Sequence, residues 1–335
     1  MQYNNVGISQ LIKKVYFFKL QFLIRFRTSG FLPEFKGSVI RGGFGHIFRK
    51  LSCINKRADC KDCFLATSCA YANIFTTPSV IKEKTQYIAR EHLPHPFAIR
   101  IPFDSNGRKK FYSEGSKFEF DLIIVGEAGK FIPYFVYTFV ELGKRGLGKQ
   151  KCTYELEEVI ADNIAVFRSG DSKVYLDGIY RNNVESLFQK FWNSSSGVRS
   201  VTDETNPTCK LLVDFVTPTR IKFNGKYIDY IDFKIFITNI LRRISLLAML
   251  YCSLDLKANG LKNFNIKEFI EQSKNVSTSL RSINWYDWER YSTRQKTTMR
   301  LGGFVGRAEF YGRYKDFENY IPLMLLGQDL GVGKG

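Results

Sequence analysis

An α+β chain of two tandem ferredoxin-like domains, the first carrying a cysteine-rich metal-binding insert, is predicted by three features of the sequence. Apolar periodicity alternates between strand and helix in the order βαββαβ through the first half, a similar order returns after residue 208, and four cysteines crowd into the stretch 52–75. With 335 residues, 44% of them hydrophobic, the chain is long enough for two domains that each bury a core.

The segment from Lys14 to Phe26 alternates bulky apolar residues (Val15, Phe17, Leu20, Phe22, Ile24, Phe26) and predicts a long strand. After the turn between Gly30 and Pro33, Ile40, Phe44, Ile47 and Leu51 take helical spacing and predict the buried stripe of a helix. Strands are predicted from Phe97 to Phe103 and from Lys117 to Val125, then a helix from Phe131 to Leu142 closed by Gly143, then a strand from Thr153 to Ile160. The polar runs NSSSG and TDETNP between Asn193 and Pro207 read as a linker. The domains are accordingly set at 1–200, with the insert at 52–75, and at 208–335. In the second, a strand from Leu211 to Val216 leads through TPTR to a helix from Asp232 to Tyr251. A hairpin spanning Lys296 to Tyr311, a helix near Asp316 to Leu326 and a glycine-rich tail follow.

Charge narrows the function classes. The formal net charge is +18, and a summed positive potential of that size answers a polyanion. Residues 1–110 hold 19 basic and 6 acidic side chains, 111–208 hold 11 and 14, and 209–335 hold 20 and 12. Two basic regions flank an acidic one. No run of about 18 apolar residues spans a bilayer, and residues 1–20 lack a signal-peptide pattern; the expectation is a cytoplasmic protein with no membrane partner.

Cys53, Cys60, Cys63 and Cys69 are spaced C-x6-C-x2-C-x5-C. In a reducing compartment such a cluster points to a metal rather than to disulfides. Four thiolates satisfy tetrahedral zinc; Cys60, Cys63 and Cys69 with a remoter fourth cysteine equally suit an iron–sulfur cluster. The plainer reading is a loop of unmetallated thiols. Either metal would be a structural staple. Cys152, Cys209 and Cys252 sit singly in apolar patterns, as small buried hydrophobes.

From Lys36 to Arg57 there are six basic residues (Lys36, Arg41, Arg49, Lys50, Lys56, Arg57) and no acid. Opposite the apolar stripe, one helix face presents His46 among Arg41, Arg49 and Lys50; the bland alternative is a solvated basic face with an incidental histidine. Gly42, Gly43 and Gly45 each cost a helix roughly 1 kcal/mol, which suits close backbone packing or a phosphate at free N–H groups. Residues 290–315 hold seven basic side chains (Arg290, Arg294, Lys296, Arg300, Arg307, Arg313, Lys315) against Glu309, interleaved with Tyr291, Phe304, Phe310, Tyr311 and Tyr314. Cations for phosphates and rings for unstacked bases suit single-stranded RNA, with half of the rings assigned to the core. Neither a P-loop nor a dinucleotide fingerprint is present.

The run F-K-G-S-V-I-R-G-G-F-G-H-I-F-R-K-L-S-C, the C-A-Y-A-N-I-F after it and H-P-F-A-I-R-I-P (95–102) resemble the N-terminal half of CRISPR precursor-RNA-processing endoribonucleases of the RAMP superfamily. F-V-T-P-T-R (215–220), R-R-I-S-L-L-A-M-L-Y-C (242–252), R-Q-K (294–296), L-G-G-F-V-G-R-A-E-F-Y-G (301–312) and the glycine-rich end continue the resemblance through the second half. It implies two RRM-like RAMP domains, CRISPR repeat RNA or crRNA as partner, and cleavage that needs no metal. In that chemistry the 2′-hydroxyl attacks the adjacent phosphate, leaving a cyclic phosphate and a 5′-hydroxyl. His46 takes the place of the family's catalytic histidine, with Lys50 and Arg49 to steady the phosphate; His92 and His95 are the other two histidines. Lys36, Arg41, Arg220, Arg294, Lys296, Arg300, Arg307 and Lys334 are the expected RNA contacts. Other subunits of a CRISPR effector complex and a second copy of the chain are further candidate partners. A RAMP subunit that holds repeat RNA or crRNA without cutting it is the alternative, and a metal-stapled tRNA or DNA binder a more distant one.

Overall fold

The computed structural model describes residues 6–76, 93–101, 110–193, 208–254, 265–292 and 297–332. Its principal elements, in chain order, are α1 (Val6–Lys14), β1 (Tyr16–Phe26), α2 (Gly37–Ser52), α3 (Ala70–Phe75), β2 (Phe97–Arg100), β3 (Lys117–Val125), α4 (Ile132–Arg145), β4 (Tyr154–Ala161), β5 (Ile164–Arg168), α5 (Val184–Asn193), β6 (Thr208–Thr219), α6 (Phe233–Tyr251), α7 (Ile266–Gln272), β7 (Ser277–Ser292), β8 (Thr297–Arg313) and α8 (Ile321–Leu330). The fold is mixed α/β with antiparallel sheets. It divides into two compact units, residues 16–182 with 249–252, and residues 1–15, 183–248 and 253–335. Residues 1–15 and 183–193, placed by sequence with the first half, cluster with the second because α5 packs on α8 and on α1.

In the 16–182 unit the sheet runs β2-β3-β1-β4-β5. β1 lies at its centre, pairing with β3 from Phe17↔Val125 to Arg25↔Lys117 and with β4 on its other edge. Its alternation decides what each face meets. Leu20, Phe22, Ile24 and Phe26 are fully buried, while Lys19, Gln21 and Arg25 point to the opposite face, where carboxylates of β3 and β4 meet them. Lys19 pairs with Asp121 (3.4 Å), Arg25 and Lys117 share Glu157, Arg27 pairs with Glu155, and Arg168 with Glu158 (3.0 Å). The acids of the middle segment are therefore matched to cations across the sheet.

Helices α2 and α4 cover the apolar face. Phe44 stacks on Phe135 and Phe139 at 5.2 and 5.1 Å. Gly43 lets the two helices approach, since a Cβ there would stand 2.8 Å from a Leu142 methyl. The fourth buried position of α2 is Phe48, not Leu51, which is 37% exposed: one residue earlier faces α4, where Phe135 waits. Gly143 does not close α4 either. It is buried within the helix against the Tyr154 carbonyl, and Gly146, at φ 81°, ends it. α1 and β5 were not anticipated, and the expected strand from Lys14 begins only at Tyr16.

In the second unit the sheet order is β7-β8-β6. α6 begins where Asp232 accepts the Ile235 N–H at 2.6 Å, the N-cap that its sequence position favours. Phe233 and Phe236 then meet Phe310, at 5.1 and 5.7 Å. The hairpin is far longer than expected: β7 starts at Ser277, and its turn at 293–296 lies outside the described residues. The glycine-rich tail is helical to Leu330, because Leu323, Leu326 and Leu330 are buried; Gly331, at φ 79°, stops it. Cys209 is partly exposed on β6 rather than buried, whereas Cys152 and Cys252 are buried as expected.

Candidate nucleic-acid interface

The last turns of α2 carry His46, Arg49 and Lys50, all exposed. Spacings of three and four residues put them on one stretch of helix surface. Among the described residues no ion pair joins Arg49 or Lys50 to a carboxylate, in contrast to the cations of the sheet face. Arg49 instead lies over the Tyr71 ring of α3 (5.6 Å), so a tyrosine is held beside this turn. Tyr71 was not singled out by sequence, although the A-Y-A-N-I-F run packs as a short helix with Ala70, Ala72 and Ile74 buried. Arg41 is half-buried with its guanidinium 5.0 Å from the Phe97 ring. His95, also half-buried, lies between the rings of Phe75 and Phe97, at 5.8 and 6.0 Å. That is a packing position; His92 lies outside the described residues.

Lys36 does not stand on the surface. It is 7% exposed, donates to the Glu34 carbonyl at 3.1 Å and sits 5.7 Å from the Tyr112 ring centre.

In the second unit Arg220 is half-buried against Tyr227, 4.2 Å from its ring centre. Arg307 on β8 faces Asp214 on β6 across the ladder and donates to both of its carboxylate oxygens, at 2.6 and 2.8 Å. The guanidinium holds the Asp214 carboxyl below the usual range, and the pair raises Arg307. Arg300 belongs to β8 by its backbone, its side chain lying outside the described residues with the whole of Arg294, Lys296 and Lys334. Of the hairpin aromatics, Phe304 and Phe310 are core, while Tyr314 is exposed. Trp285, 41% exposed on β7, was missed because the polar run around it gave no strand signal.

The four clustered cysteines are all free and half-buried. Their side chains line one cavity of ≈ 180 Å³ beside Phe131 and Tyr134. Burial pushes the Cys60 thiol up; Arg49 acts the other way, and the nearby Cys53 and Cys69 add to the rise. Among the described residues no three His, Cys, Asp or Glu side chains are grouped to hold a single metal ion.

Two family models match the chain. An N-terminal domain model, AF_1859_N, matches residues 15–185, and the model of the CRISPR-associated endoribonuclease Cas6 matches residues 213–335. The chain belongs to the AF_1859_N family and is a CRISPR-associated protein of Cas6 type. An uncharacterized protein of Archaeoglobus fulgidus is 22% identical over 311 residues, 90% of this chain and 88% of its own. A Cas6 product complex aligns at a TM-score of 0.48 with 14% identity, over 95% of each chain. The Cas6 of Thermus thermophilus aligns at 0.44 with 13% identity, over 95% of this chain and 93% of its own. No described helix of this Cas6-type chain is long and apolar enough to cross a membrane.

Proposed function

We propose that the chain binds CRISPR repeat RNA and cuts precursor transcripts into crRNAs without a metal in the chemical step, each unit acting as a ferredoxin-like RAMP domain. The observation that carries this reading is the exposed turn of α2, where His46, Arg49 and Lys50 stand together without a paired carboxylate among the described residues, in a chain of Cas6 type. His46 takes the proton of the 2′-hydroxyl as the oxygen attacks phosphorus. Arg49 and Lys50 stabilise the charge that collects on the phosphorane oxygens. The P–O5′ bond then breaks, and the 5′-oxygen leaves with a proton for which Tyr71, held beside α2 through Arg49, is the candidate donor. The RNA further along is held by the hairpin cations, Arg300 and Arg307 among them, with Trp285 offering a ring to an unstacked base.

End-group analysis tests the chemistry. Repeat RNA incubated with the chain and excess chelator should yield one cut with a cyclic phosphate on the 5′ fragment and a free 5′-hydroxyl on the other. Products ending in a 5′-phosphate would refute the mechanism, and binding without a cut would leave only an RNA-holding role.

A further inference from the structure

The 16–182 unit encloses one group of reactive side chains that RNA cleavage does not use. Cys53 directly follows α2, Cys69 directly precedes α3, and Cys60 and Cys63 lie in the turns between. These turns are fixed by their own backbone: Cys53 N–H donates to the Arg49 carbonyl at 2.9 Å, Ala66 N–H to Cys63 at 2.9 Å and Cys69 N–H to Leu65 at 2.8 Å. A segment with so few apolar side chains of its own has little hydrophobic reason to hold that course, yet it delivers all four thiols to one cavity.

The size of the cavity decides between the two kinds of centre that four cysteines take. Zinc draws four sulfurs to within about 2.3 Å of a single point. Here no three ligating side chains among the described residues share such a point, and the thiols ring a space of ≈ 180 Å³, about six times the volume share of one water. The remaining walls include Leu65, Ala66, Ala70, Ala72 and Phe131, which keep water from a centre placed there. An ion at the middle would stand too far from its ligands, whereas a cluster that carries its own bridging sulfides reaches them. We propose that Cys53, Cys60, Cys63 and Cys69 bind a [4Fe–4S] cluster, one thiolate to each iron. It ties the end of α2 to α3 and to the start of α4, where Phe131 and Tyr134 complete the cavity, and so steadies the helix turn that carries His46.

Iron, acid-labile sulfide and zinc measured on the full-length chain purified without oxygen test this directly. About four irons and four sulfides per chain are expected, with a brown colour and a visible charge-transfer absorption that bleaches on reduction. Cys63→Ser should lose the chromophore and Cys209→Ser should keep it. About one zinc per chain, with no iron taken up after anaerobic reconstitution from ferrous iron and sulfide, would overturn the proposal, as would a chain that binds neither metal. These readouts need no RNA: a chain that carries the cluster but does not cut refutes only the proposed function, and one that cuts without the cluster refutes only this inference.

Discussion

Gly42 and Lys36 show what single letters do and do not disclose. Both sit in the glycine-rich basic stretch that opens α2, and both were read as parts of a phosphate-binding surface. Nothing lies within 4 Å of where a Gly42 Cβ would stand, so alanine there fits the helix and removes the glycine penalty. Gly42→Ala should raise stability by about 1 kcal/mol in denaturant unfolding. An equal or lower stability would mean that the glycine is needed for something other than packing, and loss of RNA affinity in the same variant would identify a close phosphate. Lys36 is the opposite case: a basic letter in a polar stretch that folds inward, its ammonium between the Glu34 carbonyl and the Tyr112 ring. Lys36→Ala should lower the melting temperature while leaving the salt dependence of RNA binding unchanged; a flatter salt slope would return it to the interface. No sequence pattern foretold that burial, because the partner ring is 76 residues away and comes near only when the sheet is formed.

At the scale of elements, what was legible followed from periodicity. K-F-E-F-D-L-I-I-V became β3 at its expected bounds, and Asp232 before the α6 stripe became its N-cap. β7 was missed because S-T-S-L-R-S-I-N-W-Y-D-W-E-R-Y-S has no apolar face to signal a core, and α1 because it is short and precedes a stronger strand signal. Leu51 and Phe48 exchanged roles because periodicity gives a stripe's spacing more surely than its centre. The stripe itself holds α2 in place. Phe44 is fully buried, with the rings of Phe48, Phe75, Phe97, Phe135 and Phe139 around it. Phe44→Ala should cost about 3–5 kcal/mol in equilibrium unfolding, and a cost under about 1 kcal/mol would mean that α2 is not docked as described. On the hairpin, Arg307 is already engaged by Asp214. The arginine keeps the Asp214 carboxyl low, so the pair persists through neutral pH, and its contribution is lost only in acid, as pH falls through that lowered value. Asp214→Asn should free the guanidinium, tighten RNA binding at neutral pH and steepen its salt dependence by roughly 0.7 log units per added phosphate contact. An unchanged slope would place Arg307 away from the RNA.

For the whole molecule, the net charge of +18 acts through where its counter-charges lie. The carboxylates of the central segment meet cations across one sheet, which leaves the end of α2 as a positive surface. The class of ligand was therefore legible from composition, while the part of the surface that meets it emerged only with the fold. The central claim is that this surface does chemistry as well as binding, and one measurement addresses it most directly: single-turnover cleavage of a repeat RNA by the wild-type chain and by His46→Ala, in excess chelator, with affinities measured in parallel. His46 is exposed and makes no packing contact that the fold requires. The variant should fold and bind as the wild type does and cut ~10²–10⁴-fold more slowly, the usual contribution of a positioned base. Equal cleavage rates for the two proteins, at equal affinity, would contradict the account.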